Sequence, residues 1–313
     1  MNIGYLAAFA TLFAWTISNF VLAKLTRLVE PSILNRAALF FSIFLLGLLV
    51  CIIDGLAPWQ LFTLPNSSNW LWLGLSGIIG KSIGDYCSFC SMRILGVRRR
   101  SMISTLGPGF TWIFGLIILN EKMNWVGVVA MLLTIISILL LINSTAEKEE
   151  VRKEKFGLPL PGLLFGIAAA ALTGLAFILS KKTFIETGRE ISEFHGTWIR
   201  IIVAFAAIML MDTLRNKHTG FIKQFLLDKQ KGILLFFVIL FGAVLGLSFS
   251  LMAITRMNAA SAYTIFSMLP VTVILVNAVV YKKKITWRSW LYSILAVAGV
   301  IILVWRDVVI KHF

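Results

Sequence analysis

Ten apolar runs, each about long enough to cross a lipid bilayer, are the feature of this sequence that most limits its fold. A transmembrane helix needs about 20 mostly apolar residues, and the runs lie at approximately 3–22, 33–53, 70–92, 96–119, 125–142, 160–180, 195–212, 232–253, 259–280 and 287–304. Only 14% of the residues are charged, against about 25% in soluble proteins. The sequence therefore predicts an all-α integral membrane protein with ten transmembrane helices.

The basic residues of the chain indicate membrane topology rather than a nucleic-acid partner. The net charge is +15, but Lys and Arg fall between the apolar runs, where they set orientation and contact anionic lipid headgroups. They form no contiguous stripe of the kind that binds nucleic acid. Cys87 and Cys90 form a C-x-x-C pattern without the second Cys pair or the His cluster of a metal site. We predict membrane lipids as partners, no nucleic acid, no metal, no cofactor and no enzymatic activity.

The two halves of the chain repeat each other with a shift of 162 residues. Several aligned positions carry the same residue, namely Gly80 and Gly84 with Gly242 and Gly246, Pro108 with Pro270, and Trp125 with Trp287. Each repeat holds five runs, and because five is odd, the second repeat must enter the membrane from the opposite side. Inverted repeats are common in secondary transporters, which bind substrate near the midplane and alternate access by rocking. The predicted domains are residues 1–142 and 160–313, joined by a polar linker at 143–159.

The matched glycines and prolines also predict how the helices pack. The two G-x-x-x-G patterns allow helix backbones to approach each other closely in lipid. Pro108 and Pro270 each lie in the middle of a run and remove a backbone donor, which predicts a kink in each helix. The sequence leaves open whether these prolines are paired hinges or fixed kinks.

The halves resemble EamA-type units of the drug/metabolite transporter superfamily over essentially the whole chain. The resemblance is carried by a Gly-rich third helix and by a fourth helix with a central Pro and a Leu-Gly-Glu-like end. These features appear as Pro108-Gly-Phe with Leu119-Asn-Glu-Lys122, and as Pro270-Val-Thr with Tyr281-Lys-Lys-Lys284. The resemblance implies a central cavity lined mainly by the first four helices of each repeat. Glu121 matches the family's glutamate, whereas Lys283 replaces it in the second half.

The main candidate site residues are charged groups inside the runs. Lys81 and Asp85 lie in the third run, where a charge near the centre of a helix costs roughly 2.5 to 3.5 kcal/mol. Asp85 is a candidate proton carrier, or it simply pairs with Lys81 one turn earlier. Arg98, Arg99 and Arg100 open the fourth run, and at least one must point away from any cavity because three consecutive helical positions sweep about 200°. Guanidinium binds carboxylate and phosphate bidentately, so the triplet predicts an anionic substrate, with membrane anchoring as the alternative.

The remaining candidates are two arginines and several groups that can orient a ligand. These are Arg36 and Arg200 at the starts of the second and seventh runs, with Trp15, Asn19, Tyr86 and Tyr263. The leading prediction is a secondary transporter of a small organic, anionic solute that works by alternating access, as a monomer or homodimer. The alternatives are an exporter or flippase of a phosphate-bearing lipid, and a membrane scaffold without transport activity.

The sequence does not decide on which side of the membrane the two chain termini lie. Apart from Lys81 and Arg200, 20 Lys and Arg lie on the side of the odd connections and 7 on the side of both termini. The positive-inside rule then places the termini outside, whereas the family resemblance implies that they are inside. The predicted location is the bacterial cytoplasmic membrane.

Overall fold

The described residues of the first half form a series of helices. The computed structural model of the protein describes residues 3–142, 160–214, 220–272, 276 and 287–311. Its first half contains α1 (Ile3–Leu28), α2 (Pro31–Ile53), α3 (Gln60–Thr63), α4 (Ser67–Ser76), α5 (Asp85–Ser104), α6 (Gly107–Leu119) and α7 (Trp125–Ile142). A π-helical segment, π1 (Gly77–Gly84), joins α4 to α5.

The second half follows the same plan. Its helices are α8 (Leu160–Glu186), α9 (Glu193–Leu214), α10 (Phe221–Leu227), α11 (Lys229–Val238), α12 (Leu247–Arg256), α13 (Ala259–Phe266) and α14 (Trp287–Lys311). A second π-helical segment, π2 (Ile239–Gly246), joins α11 to α12. The predicted linker at 143–159 and Lys283 lie outside the described residues.

Six helical stretches are long and apolar enough to cross a membrane. They are Ile3–Leu28, Pro31–Ile53, Leu160–Glu186, Glu193–Leu214, Lys229–Arg256 and Trp287–Trp305. Large apolar side chains such as Ile52 and Ile117 are about two-thirds exposed, as expected where hydrocarbon is the surrounding solvent. The chain is therefore an integral membrane protein.

The other four predicted runs differ from these six in length or polarity. The third is helical from Ser67 to Leu95 but carries Lys81 and Asp85, which lower its hydropathy. The fourth is divided by the interruption between α5 and α6, and the fifth, α7, is shorter than any of the six stretches. The ninth is described over residues 259–272 and at residue 276, and a turn at 267–268 interrupts it.

The π-helical segments occur 162 residues apart, and each contacts the first helix of the opposite half. A Cβ atom at Gly80 in π1 would lie 2.7 Å from Ala176 Cβ in α8. A Cβ atom at Gly242 in π2 would lie 2.6 Å from Ser18 Oγ in α1. A larger residue at either position would overlap these atoms and force its neighbour to shift. The two G-x-x-x-G patterns thus mediate close contact between the halves.

Breaks in the helices precede both prolines that were predicted to cause kinks. Two residues separate α5 from α6, and Pro108 lies in the first turn of α6. A turn at residues 267–268 separates α13 from the helical residues that include Pro270. The first helical turn tolerates proline because the N–H that proline lacks has no intrahelical partner there. Each helix is therefore interrupted just before the proline instead of bending within a continuous helix.

Gly96 marks a further break, inside α5. Its φ of 80° and ψ of 163° are far from helical values, and glycine adopts this region without steric cost. Gly96 is the first residue of the predicted fourth run, so the break coincides with the predicted start of that run.

Candidate functional site

A cavity of about 190 Å³ lies between the two halves and is lined by both. Its polar lining consists of Trp15, Ser18, Asn19, Asn35, Ser42, Lys81, Asp85, Ser88, Arg100 and Ser104 from the first half, and Thr173, Arg200, Tyr263 and Ser267 from the second. Aromatic rings, including Phe89, Phe177 and Phe266, supply much of the apolar wall. Seven of the eleven side chains predicted to bind substrate line this cavity.

Lys81 and Asp85 form an ion pair in the wall that the first half contributes. Lys81 belongs to π1 and Asp85 begins α5, and 2.6 Å separates Lys81 Nζ from Asp85 Oδ2. The two side chains are only 14% and 28% exposed. The ion pair that the i, i+4 spacing allows is present. Both residues still line the cavity.

Arg100 is the one member of the arginine triplet whose side chain is described. Its Nη2 atom donates a hydrogen bond to Ser88 Oγ at 2.7 Å. Twelve residues of unbroken α-helix would span about 18 Å, so the chain must turn back between these residues. The break at Gly96 provides that turn and brings Arg100 to the cavity. The side chains of Arg98 and Arg99 lie outside the described residues.

Arg200 brings a second guanidinium to the cavity, from α9. The residue is 2% exposed, and its Nε and Nη1 atoms are buried with no hydrogen-bond partner among the described residues. A Cβ atom at Gly77 would overlap the Arg200 carbonyl oxygen, so the glycine allows α9 to lie directly against π1. Burying a charge without a partner costs roughly several kcal/mol of folding free energy. An anion in the cavity would offset this cost.

Trp15, Asn19 and Tyr263 line the cavity, and each is held in place by its neighbours. Trp15 Nε1 donates to the carbonyl oxygen of Gly242 in π2 at 3.3 Å. Asn19 Nδ2 donates to the Trp15 carbonyl oxygen at 2.8 Å. The Tyr263 ring packs against Gly107, where a Cβ atom would overlap the ring and its hydroxyl oxygen. The absence of a side chain at Gly107 therefore fixes where Tyr263 lies.

Arg36 and Tyr86 are the described candidates that do not line the cavity. Arg36 Nε lies 2.8 Å from Asp212 Oδ2, and the two side chains are 8% and 15% exposed. This ion pair ties α2 to α9. Tyr86 is 42% exposed. The structure thus gives Arg36 a carboxylate partner and brings neither residue into contact with the cavity.

Several polar lining residues were missed from the sequence because they carry no ionisable group. Asn35 is an example, since its Nδ2 atom donates to the carbonyl oxygens of Lys81 and Ser82 at 3.3 and 3.2 Å. These acceptors lie in π1, where the widened helix leaves backbone groups available. Single Asn, Ser and Thr residues are ordinary in transmembrane helices, so only the position of the π-helical segment distinguishes Asn35.

A buried ion pair joins the two halves at one end of the bundle. Lys181 Nζ in α8 lies 2.7 Å from Glu121 Oε1, just after α6. Lys181 Nζ also donates to the Met257 carbonyl oxygen at 2.6 Å. Glu121 Oε1 accepts a further hydrogen bond from the backbone N–H of Ala259, the first residue of α13, at 3.1 Å. The family glutamate therefore binds the start of a helix in the opposite half.

Further polar contacts between the halves lie at the same end, which we call the ion-pair end. The hydrogen bonds link Ser192 Oγ to Asp54 Oδ2 at 2.5 Å, Ser68 Oγ to Glu186 Oε2 at 3.0 Å, and Asn66 Nδ2 to Glu190 Oε2 at 2.8 Å. Towards the opposite end, the cavity lining extends to Leu22, Asn35 and Met92. These residues lie within two helical turns of the α1–α2 connection or of Gly96. The cavity therefore approaches the opposite end, where the Arg36–Asp212 pair, and not the Glu121–Lys181 pair, joins the halves.

Comparison with known proteins identifies the family. The EamA-like transporter family matches residues 2–143 and again residues 160–305. The "Uncharacterized transporter sll1164" of Synechocystis sp. (strain ATCC 27184 / PCC 6803 / Kazusa) is 25% identical over 170 residues, which are 50% of this chain and 47% of that protein. The chain thus matches about half the length of this relative.

A solved crystal structure shares the fold. It aligns with 96% of this chain over 95% of its own length, with a TM-score of 0.69 and 17% sequence identity. Identity at this level indicates fold and not function. The family match covers both halves and confirms the resemblance predicted from the sequence: the chain belongs to the EamA-like transporter family.

Proposed function

We propose that the protein is a secondary transporter that moves a small organic anion across the membrane by alternating access. Membrane transport is the general activity of its family. The anionic substrate is argued chiefly from Arg200, whose buried Nε and Nη1 atoms have no partner among the described residues. A guanidinium presents its donors in a planar fork that matches a carboxylate or a phosphate.

The charges around the cavity support an anion over a cation. Among the described lining residues, Lys81, Arg100 and Arg200 are cationic, and Asp85 is the only acid. Because Lys81 and Asp85 pair with each other, the two arginines dominate the field in the cavity. Charges interact more strongly in a poorly hydrated interior than in water, so this field repels cations.

The size of the cavity supports a small solute over a lipid. A cavity of about 150 Å³ binds benzene, and the cavity here measures about 190 Å³. A phosphate-bearing lipid would need room for its acyl chains. A scaffold without transport activity would have no use for the unpartnered Arg200 donors, which destabilise the folded protein.

The arrangement of the halves supports alternating access. We propose ten membrane spans in two inverted repeats, residues 1–142 and 160–313, joined by the linker at 143–159. The π-helical segments at equivalent positions, each against the first helix of the other half, are consistent with that symmetry. Opening the ion-pair end requires separation of Glu121 from Lys181, and the breaks before Pro108 and Pro270 are the proposed hinges. The bacterial relative supports a bacterial cytoplasmic membrane as the location.

Asp85 is the proposed carrier of a coupling proton. Its carboxylate lines the cavity and holds Lys81 at 2.6 Å. Protonation would neutralise the carboxylate and release the ammonium group, which adds a third unpaired cation to the cavity. Anion binding would then strengthen on protonation, as proton-coupled anion transport requires.

The experiment that tests this proposal is uptake by the purified protein in liposomes. We expect uptake of labelled organic anions, no uptake of organic cations, and loss of uptake in Arg200→Gln. Arg93→Gln is the matched control, because Arg93 is exposed on α5 and does not line the cavity. Cation uptake by the wild-type protein, or full anion uptake by Arg200→Gln, would reject the proposal.

A further inference from the structure

We infer that the substrate is a compact organic dianion that binds between Arg100 of the first half and Arg200 of the second. This inference rests on the proposed anion transport and specifies the charge of the transported molecule. It depends on three properties of the cavity, which are the number of its unpaired charges, their placement on different halves, and the character of its walls.

The first property is the number of unpaired charges. Arg100 donates to the neutral hydroxyl of Ser88, and Arg200 has unpartnered donors. Neither guanidinium has a carboxylate oxygen within 4 Å among the described residues, whereas Lys81 and Asp85 are in direct contact. The described lining therefore contains three cationic side chains and one carboxylate, which gives it a net charge of +2. A monoanion leaves one positive charge unbalanced, and a dianion balances both.

The second property is the placement of the two arginines. Arg100 lies after the Gly96 break in α5, and Arg200 lies in α9, so the two belong to different halves of the chain. Both arginines line the same cavity, as does Asp85. The two cations therefore border one enclosed space from different halves of the chain. A ligand that contacts both would link the halves, whereas a monoanion bound to one arginine would not.

The third property is the character and size of the walls. Phe89, Phe177 and Phe266 present rings to the cavity, and such surfaces favour a carbon skeleton over a hydrated inorganic ion. A volume of about 190 Å³ limits the skeleton to a few carbon atoms. A short dicarboxylate and a short phosphate monoester both satisfy these requirements, because guanidinium binds either group through paired hydrogen bonds.

Binding of matched ligand pairs to the purified full-length protein tests the inference. Succinate and its monomethyl ester differ by one negative charge on the same skeleton, and propyl phosphate is compared with inorganic phosphate. We expect the wild-type protein to bind succinate, propyl phosphate or both at least tenfold more tightly than the matched control ligand. Calorimetry gives the dissociation constants, and ligand-induced thermal stabilisation checks them.

Two variants test the role of the arginines. Arg100→Gln and Arg200→Gln each remove one positive charge, so each should reduce the preference for succinate over its monomethyl ester to threefold or less. Arg93→Gln should keep the wild-type preference. The comparison of ligands on the wild-type protein decides the charge class even where a variant does not fold.

The outcomes separate this inference from the proposed function. Equal binding of succinate and its monomethyl ester, with no preference for propyl phosphate, overturns the dianion and leaves anion transport standing. Binding of tetramethylammonium with no binding of any anionic probe overturns the proposed function as well. An unchanged dianion preference in both arginine variants overturns the assignment of the two residues.

Discussion

Lys181 Nζ lies 2.7 Å from Glu121 Oε1, and this ion pair joins the two halves of the protein at one end of the bundle. The two side chains are 11% and 17% exposed, so water screens the pair weakly. Glu121 also accepts from the first N–H of α13, where the positive end of the helix dipole favours an acid. One carboxylate therefore holds α8 and α13 of the second half against the end of α6.

Removal of one partner of this pair should destabilise the protein and favour opening of the ion-pair end. We expect Lys181→Met to lower the free energy of unfolding by about 3 kcal/mol, because the buried Glu121 loses its cation. The double variant Lys181→Met with Glu121→Gln should recover part of this loss. Thermal unfolding in detergent measures the effect.

Lys182→Met is the matched control for that experiment. Lys182 neighbours Lys181 in α8 and also contacts the first half, with its Nζ 3.8 Å from the centroid of the Trp72 ring. Its acidic partner is Glu186 at 3.6 Å, and both side chains of that pair are more exposed. Exposed pairs contribute at most about 1 kcal/mol. Equal destabilisation by the two lysine variants would show that the Lys181 pair has no special role in holding the halves together.

A second prediction concerns the position of Tyr263. Gly107→Ala should move the Tyr263 ring, because the added Cβ atom would overlap it, and overpacking of this kind costs about 1 to 3 kcal/mol. Substrate binding should weaken with it, since Tyr263 lines the cavity. Binding affinity and thermal stability are measured on the same preparation.

Gly109→Ala provides the control in the same helix. A Cβ atom there meets nothing within 4 Å, so this variant should keep the wild-type stability and affinity. Gly107→Ala combined with Tyr263→Ala should regain stability without regaining affinity. A Gly107→Ala protein with normal affinity would contradict a role for the Tyr263 position in binding.

Much of this site followed from the sequence because charge inside an apolar run is costly and therefore conspicuous. Lys81, Asp85, Arg100 and Arg200 were all identifiable in this way, and all line the cavity. Arg36 carries the same signal, yet it pairs with Asp212, whose position near the end of α9 gave no hint of contact with α2. Sequence spacing identifies partners one turn apart, as for Lys81 and Asp85, but not partners on different helices.

The helix interruptions were harder to predict for a related reason. Pro108 and Pro270 indicated distortion at the correct places, but proline suits both a kinked helix and the first turn of a new one. The π-helical segments have no residue signature apart from glycine, and their function as close contacts depends on Ala176 and Ser18 in the opposite half. Such contacts are properties of the assembled bundle.

A third prediction tests Asp85 as the proton carrier. Asp85→Asn mimics the protonated carboxyl permanently, so Lys81 stays unpaired and anion binding should persist at every pH. Wild-type uptake should rise when the outside pH is lowered over a range where the substrate stays ionised. Uptake by the variant should not respond to the proton gradient.

Asp228→Asn is the control for the pH experiment. Asp228 lies outside the candidate membrane spans and accepts a hydrogen bond from the Lys231 backbone N–H as the N-cap of α11. That hydrogen bond lowers the pKa of the Asp228 carboxyl, and asparagine is an equally good N-cap. The variant should therefore keep the wild-type gradient response. A gradient response that survives in Asp85→Asn would exclude Asp85 as the carrier.

The last prediction separates a structural arginine from a ligand-binding one by the sign of its effect on stability. Arg36→Met leaves the nearly buried Asp212 without its cation, so the ligand-free protein should lose about 3 kcal/mol of unfolding free energy. Arg200→Met removes a buried charge whose Nε and Nη1 donors have no partner among the residues described, so the ligand-free protein should unfold at a higher temperature than the wild type. Anions should stabilise Arg36→Met and fail to stabilise Arg200→Met. If Arg200→Met instead destabilises the ligand-free protein as strongly as Arg36→Met, then Arg200 has a structural partner and the cavity has one fewer charge available for substrate.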